Sequence, residues 1–438
     1  MRIYPEVGLQ VPDILLPKKS VDIEKWAVVA CDQYTSQPEY WDRVKRFIDD
    51  SPSAYHLILP EAYLGTPKEI KHQSKILSSM SSYLEVDLFD EFQGFVYVER
   101  KLGEKTRQGL IAALDLEQYD FYIDSQSLVR ATEGTIIERL PPRIAIREKA
   151  MLEIPHILVL IDDPQNTVIE PLAAEGNTLQ ELYDFNLMLG GGNIKGFLIN
   201  DLYLEQKITI ALRNLLDQDH QVQKNGHASA PLLYAVGDGN HSLAAAKSYW
   251  EKIKGNVRPD HPARFALVEI VNIHNEGIVF EPIHRIVKNF GSGLIESLSS
   301  FFSNAVSILN IENFSSLTMS VKNQSANSQM IGLISKDHFQ VLEIKKPLHT
   351  LPVGSMQLFL DDLLAKHSEG NIDFIHGDDA LLQLANQPNN FGFFFPAMQK
   401  SSLFKSVVHD GPLPRKTFSM GEAHEKRYYL ECRKIQDN

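Results

Sequence analysis

Five consecutive residues in the middle of the chain, Gly237 to His241, combine glycines with groups that can exchange protons. The stretch reads Gly-Asp-Gly-Asn-His, and Ser242 follows it. Glycine lets a backbone come close to a ligand and adopt conformations that other residues avoid. An aspartate can accept a proton from an attacking hydroxyl, and a histidine titrates near neutral pH. These residue types suit the binding of an anion and acid–base chemistry beside it.

The residues on either side of this stretch predict the elements that must hold it. Residues 232–236 form an apolar run typical of a buried strand, and apolar residues recur at helical spacing from Leu243 onward. The sequence therefore predicts a strand, a tight turn and a helix. A helix start exposes unpaired N–H groups and the positive end of the helix dipole, which together favour a phosphate. The alternative is ordinary turn chemistry, in which Asp238 only caps the helix.

Other charged and polar residues could complete such a site. Phosphoryl transfer requires cations around the phosphates and a carboxylate near the acceptor hydroxyl. Besides Gly237, Gly239, Asn240, His241 and Ser242, the candidate phosphate-binding residues are Arg130, Arg143, Arg147, His284, Arg285 and Lys416. The candidate substrate-binding residues are Asp32, Gln33, Tyr34 and Glu133. For each of them the alternative is a structural role in a turn, a surface ion pair or a hydrogen-bonded interior.

Composition and charge narrow the class of protein. The chain has 438 residues, of which 43% are hydrophobic and 23% charged, and these are globular values. The net charge of −13 opposes binding to nucleic acid or to anionic lipid. No apolar run approaches the roughly 20 residues that cross a membrane, and the first residues lack the apolar core of a secretory signal. Two cysteines and the histidine spacing favour neither a disulfide framework nor a zinc site. We therefore expect a cytoplasmic protein with a small-molecule partner.

The order of the predicted elements indicates an α+β fold. Antiparallel hairpins, such as the one predicted for residues 94–102 and 106–116, outnumber strand–helix–strand units. Residues 55–59 and 317–321 are predicted as strands, and residues 179–186 as a helix. The character of the sequence changes after Phe290, where a serine-rich segment begins. We therefore expect an N-terminal region over residues 1–290 and a C-terminal mixed α/β domain over residues 291–438.

Six ordered blocks resemble the DUF1015 family of bacterial and archaeal proteins, whose members are often labelled as relatives of the SpoOJ/ParB chromosome-partitioning proteins. The resemblance runs from about Ala27 to the C-terminus. The blocks are ACDQYTSQPEYW, YHLILPE, RATEGTIIERLPPRIAIREKA, VGDGNHSLAAAK, EPIHR and GPLPRKTFSMGEA.

The block VGDGNHSLAAAK is similar to the Asp-Gly-His-His-Arg motif of the ParB/sulfiredoxin-like fold, which binds nucleotide phosphates at a helix start. Free-serine kinases, which use ADP or ATP, carry a motif of this kind. Asp238, Gly239 and His241 match the motif, whereas Asn240 replaces its first histidine and Ser242 replaces its arginine. That arginine would be a bidentate phosphate clamp, which this chain lacks at that position.

The resemblance implies a ParB/sulfiredoxin-like nucleotide-binding core with an additional mixed α/β C-terminal domain. It further implies ATP or ADP as the cofactor, with Mg²⁺ bound to the nucleotide. The reaction would be phosphoryl transfer to a small hydroxylated metabolite, with Asp238 as the catalytic carboxylate. The alternative that it implies is a non-catalytic nucleotide-binding regulator of the ParB-like type.

Overall fold

The computed structural model divides the chain into two compact units. It describes residues 2–437 apart from 177, 218–220, 222–229, 291–292, 323–327, 337 and 368–369. The first unit consists of Met1–Ile278 together with Gly421–Asn438, and the second unit is Val279–Met420. The last stretch of the chain therefore returns to the first unit.

The first unit contains helices and strands in alternation. Its α-helices are α1 Ile23–Trp26, α2 Pro38–Ile48, α3 Pro67–Glu85, α4 Leu140–Arg147, α5 Leu202–Asn214 and α6 Asn240–Ile253. Its strands are β1 Ile3–Tyr4, β2 Leu9–Gln10, β3 Asp13–Pro17, β4 Val28–Val29, β5 Phe89–Gln93, β6 Phe95–Leu102, β7 Lys105–Asp115, β8 Tyr119–Asp120, β9 Val129–Ala131, β10 Leu152–Glu153, β11 Leu158–Ile161, β12 Gln180–Asn186, β13 Asn193–Ile199, β14 Tyr234–Asp238, β15 Phe265–Asn272, β23 Tyr428–Tyr429 and β24 Arg433–Lys434. Short 3₁₀ turns cover Pro5–Val7, Ala54–Leu57, Glu61–Tyr63, Leu116–Gln118, Ile137–Arg139, Glu170–Glu175, Met188–Gly190, Pro262–Arg264 and Ala423–Glu425.

One large mixed sheet organises the first unit. Its strands follow the order β12-β13-β6-β7-β15-β11-β14-β9-β8, and β2 also pairs with β7. The pairs β11–β15, β14–β9 and β8–β9 are parallel, whereas β14 runs antiparallel to β11. Strand β14, which leads into the glycine-rich turn, therefore lies inside the sheet between β11 and β9.

Strand β6 shows how the sheet separates two hydrophobic cores. Val96 and Val98 pack into one buried cluster, and Phe95 and Tyr97 pack into another. Successive side chains of a strand point to opposite faces, so both faces of this strand are covered. A sheet buried on both sides provides a rigid base for the turn at the end of β14.

The local predictions for this unit had mixed outcomes. Strands β6 and β7 form the predicted hairpin, and helix α6 follows β14 as predicted. The strand predicted at residues 55–59 is wrong, because Ala54–Leu57 is a 3₁₀ turn. The helix predicted at residues 179–186 is also wrong. That segment is β12, in which Tyr183 and Phe185 are buried at the two-residue spacing of a strand and pair along β13.

The second unit is a smaller sheet with helices. Its strands are β16 Phe280–Lys288, β17 Val306–Ile311, β18 Gln329–Ser335, β19 His338–Ile344, β20 Asn371–His376, β21 Phe391–Phe394 and β22 Phe418–Met420. Its helices are α7 Leu294–Phe301, α8 Phe314–Lys322, α9 Pro352–Lys366, α10 Asp378–Ala385 and α11 Ser402–Asp410. The strand order is β17-β19-β18-β21-β16-β20, with β22 on β16. The strand predicted at residues 317–321 is wrong, because Leu317 and Val321 are the buried residues of α8 at helical spacing.

The two units do not follow the division predicted at residue 290. Strand β16 lies before that position, yet it pairs with β20, β21 and β22 and so belongs to the second sheet. At the other end, β23 pairs with β4 and β24 pairs with β10, which attaches the last residues to the first unit. Both boundaries follow from backbone hydrogen bonds between strands that are far apart in the sequence. No local change in composition marks the position of either boundary.

The architecture is mixed α/β with several sheets, in agreement with the predicted mixture of helices and sheets. Within the described residues, no helix has both the length and the apolar character needed to cross a membrane. The ParB/sulfiredoxin-like core stays a prediction.

Candidate functional site

The glycine-rich turn has the predicted strand–turn–helix geometry. Strand β14 ends at Asp238, Gly239 is the N-cap residue with φ +77°, and α6 begins at Asn240. This φ lies in the left-handed region that favours glycine. Asp238 is not the cap, because its Oδ1 instead accepts a hydrogen bond from the Gly239 N–H at 2.8 Å. Among the described residues, no side chain caps the start of α6, so its first amides are available to an anion.

Gly239→Ala should destabilise the protein by about 1–2 kcal/mol, since an L-residue is strained at this φ. An added Cβ would also lie 3.0 Å from the Cα of Ile157. The substitution should abolish any rise in melting temperature that ATP or ADP produces. Gly255→Ala is the matched control, because its Cβ would meet open space. Unchanged nucleotide binding by a folded Gly239→Ala protein would show that the turn does not hold phosphate.

Two carboxyl groups beside the turn have pKa values that are shifted in opposite directions. Burial raises the pKa of Asp32, and the charge of Asp238 raises it further. Burial also disfavours the ionised form of Asp238, but Lys426, His156 and the Gly239 N–H outweigh it and lower the pKa of that carboxyl. The Nζ of Lys426 lies 3.5 Å from Asp238 Oδ2. One carboxyl is thus held ionised while its neighbour binds a proton more readily, which is the arrangement of an acid–base pair.

Asp32 also has a free hydrogen-bonding position. Its Oδ1 is buried and has no hydrogen-bond partner among the described residues. Buried polar atoms are nearly always paired, so an unpaired one at a site marks a place for a ligand or water. The Oδ1 of Asn240, the first residue of α6, is unpaired in the same way. Both atoms belong to residues that the sequence selected as candidates.

A buried hydrogen-bonded chain fixes the segment that carries Asp32. The Tyr429 hydroxyl accepts from the N–H of Cys31 at 3.3 Å and is hydrogen-bonded to His156 Nδ1 at 2.9 Å. Sequence reasoning missed His156, Tyr429 and Lys426, because they come from segments far from the glycine motif. The only signal for these residues in the local sequence was the apolar Tyr-Tyr-Leu run, which indicates a buried segment within an otherwise polar tail.

The remaining motif residues have separate roles. His241 Nε2 accepts a hydrogen bond from the Ile136 N–H at 3.3 Å. Burial lowers the pKa of His241, and the nearby Arg143 and Arg139 lower it further, so this ring is neutral at pH 7. Gly237 lies in β14, and Ser242 lies in the first turn of α6, where it lines a cavity.

The three candidate arginines of the first unit are bound by protein groups. Arg130 donates to backbone carbonyls, including that of Ala230 at 2.9 Å. Arg143 forms an ion pair with Glu61, and Arg147 pairs with Glu153 at 2.7 Å. Arg147 keeps one free donor, because its buried Nε has no hydrogen-bond partner among the described residues.

The candidate substrate residues around Asp32 form a tight turn. The Gln33 N–H donates to the Ala30 carbonyl at 3.1 Å, and the ring of Tyr34 stacks on Tyr40 with centroids 3.7 Å apart. Glu133 follows strand β9 and makes contacts of its own. The charge of Asp238 acts on the carboxylate of Asp32.

Three further candidates lie in the second unit and have partners there. His284 Nε2 is 3.1 Å from Asp378 Oδ1. Arg285 donates to the carbonyl of Lys416 at 3.0 Å, and the Lys416 ammonium lies over the ring of Phe374. Among the described residues of the chain, no group of three or more His, Cys, Asp or Glu side chains is placed to hold a metal ion. Magnesium bound to a nucleotide therefore stays a prediction without assigned protein ligands.

Fold and site together define a mixed α/β protein with an uncapped helix start beside a partly buried carboxylate pair. A family model described as "Protein of unknown function (DUF1015)" matches residues 15–363, so the chain belongs to the DUF1015 family. None of the curated proteins matches it.

Several solved structures are similar to this chain at low identity. A conserved hypothetical protein from Pyrococcus furiosus shares 10% identity with a TM-score of 0.36, covering 73% of this chain and 93% of that one. A free serine kinase in complex with AMP shares 9% identity with a TM-score of 0.38, covering 75% and 91%. SbnI with a C-terminal truncation, from Staphylococcus aureus, shares 12% identity with a TM-score of 0.34, covering 71% and 82%.

Proposed function

We propose that this protein transfers a phosphoryl group from ATP or ADP to the hydroxyl of a small metabolite. The observation that carries the proposal is the pair Asp32–Asp238, two partly buried carboxylates with opposite pKa shifts beside the uncapped start of α6. Such a pair supplies a group that accepts a proton next to a place where phosphates bind.

In the proposed reaction, the start of α6 binds the phosphates of the nucleotide. The first amides of the helix would donate hydrogen bonds to the phosphates, and Lys426 offsets the charge of Asp238. Magnesium that arrives with the nucleotide would neutralise further phosphate charge. The predicted phosphate roles of the arginines, of His284 and of Lys416 stay predictions.

Proton transfer in this scheme is assigned to Asp32. The acceptor oxygen forms a bond to phosphorus, the bond from phosphorus to the leaving phosphate oxygen breaks, and the acceptor proton passes to Asp32. ATP would leave as ADP, and ADP as AMP. A general base works best when its pKa lies near the working pH, which favours Asp32 over the strongly ionised Asp238. Asp238, the catalytic candidate from sequence, then holds the Gly239 turn and raises the pKa of its neighbour.

ATP or ADP should raise the melting temperature of the first unit. A ligand that binds only the folded state stabilises it by about 2.7 kcal/mol at a hundred times its dissociation constant. The measurement is a thermal-shift titration of both nucleotides with and without Mg²⁺, followed by nucleotide consumption with pooled hydroxylated metabolites. No shift with any nucleotide would contradict the proposal. Tight binding without consumption would instead favour the nucleotide-binding regulator.

A further inference from the structure

A cavity of about 190 Å³ lies in the first unit beside the start of α6. Most of its wall is aliphatic, with Ile76 and Met80 from α3, Ile146 from α4 and Ala245 from α6. An engineered cavity of about 150 Å³ with an aliphatic and aromatic wall stays dry and binds benzene. This cavity is therefore large enough for one compact apolar group.

The charged side chains in the wall neutralise one another. Arg143 pairs with Glu61 and Arg147 pairs with Glu153, and all four line the cavity. Burial raises the pKa of the Cys31 thiol to about 12, so that group is also neutral at pH 7. A wall of this kind favours an uncharged occupant, because a buried ion needs a partner.

Three residues of the cavity wall are close to the proposed site in sequence or in charge interactions. They are Cys31, His156 and Ser242. Cys31 directly precedes Asp32, and His156 lowers the pKa of both Asp32 and Asp238. Ser242 lies two residues after the first residue of α6. An apolar group in the cavity therefore lies next to residues that adjoin or act on the carboxylate pair.

We infer that the cavity binds the apolar side group of the acceptor. The substrate class is an alcohol with a single aromatic ring or a compact branched alkyl group, whose hydroxyl is directed at Asp32. The role of the alcohol as acceptor rests on the proposed phosphoryl transfer, whereas binding of the apolar group does not.

The test uses the intact protein without nucleotide and 4-fluorobenzyl alcohol as the probe. In protein with labelled methionine methyl groups, the probe should shift the Met80 resonance through its ring current, and Met80→Leu assigns that resonance. Fluoroethanol, which has the hydroxyl but no apolar group of this size, should leave it unchanged. An unchanged Met80 resonance at millimolar probe would overturn the inference, and the only variant this result needs is Met80→Leu, for the assignment.

Variants that fill the cavity provide the second part of the test. Ala245→Leu and Ala150→Leu each place a branched side chain in the wall, and either should weaken probe binding at least tenfold by fluorine NMR. Ala211→Leu, on helix α5 and outside the wall, is the matched control. Wild-type affinity in a folded filled variant would overturn the inference. A Met80 shift without phosphoryl transfer to any alcohol would refute the proposed function and leave the cavity assignment standing.

Discussion

Asp32→Asn should lower phosphoryl-transfer turnover by about 10²- to 10⁴-fold, the usual effect of losing a general base. The same substitution should raise the melting temperature at pH 7 to 8. The folded-state pKa of Asp32 is raised by burial and by Asp238, so its contribution to stability is present at low pH and lost as pH rises through that pKa. An asparagine has no ionised form to bury, and it avoids this loss.

The pH dependence of the melting temperature distinguishes a role for Asp32 as general base from a purely structural role. The stability gain of Asp32→Asn should vanish near the ordinary aspartate pKa of about 3.9 and grow as the pH is raised. Asp238→Asn is the control with the same chemical change. The pKa of Asp238 is lowered, so its stability contribution is present at neutral pH and lost on acidification, and the variant should melt lower than wild type at pH 7. Full turnover by Asp32→Asn, or a lower melting temperature at neutral pH, would refute the assignment.

Arg427→Met should destabilise the first unit by about 3–5 kcal/mol, since it removes the buried cation that two buried carboxylates share. Arg427 Nη1 lies 2.6 Å from Glu269, on the central strand β15, and Nη2 lies 2.8 Å from Glu431. All three side chains are almost fully buried. The pair with Glu269 attaches the C-terminal segment, including Lys426 and Tyr429, to the large sheet.

Urea unfolding followed by tryptophan fluorescence measures this effect in the right unit. The three tryptophans of the chain, Trp26, Trp41 and Trp250, all lie in the first unit. Arg258→Met is the matched control, because Arg258 is exposed and its pairs with Asp260 and Asp437 should contribute less than about 1 kcal/mol. Equal midpoints for the two variants would show that the buried network does not hold the tail.

The sequence predicted those parts of the site that depend on local pattern. Glycine at a left-handed position and helical spacing from Leu243 are local signals, and they identified the turn and α6. Asp32 and Asp238 were both selected, but for separate roles, because no local pattern shows that residues so far apart share one buried environment. The same limit applies to Lys426 and His156.

The errors have equally specific causes. In residues 180–186, buried and exposed side chains alternate as they do in a strand. The segment forms a strand because β13 pairs with it, and the local sequence does not show that pairing. The phosphate roles of Arg143 and Arg147 stay predictions, and the sequence did not show that Glu61 and Glu153 pair with them in the folded protein. A sequence shows a cation but does not show which carboxylate folding will bring to it.

Phosphorus NMR of the wild-type protein with ATP or ADP, Mg²⁺ and a mixture of small aromatic and branched alcohols tests the central claim most directly. The account predicts a phosphomonoester resonance that grows in step with the ADP or AMP formed, and that Asp32→Asn does not produce on the same timescale. Nucleotide binding that yields no phosphomonoester, or that yields only inorganic phosphate, would contradict it.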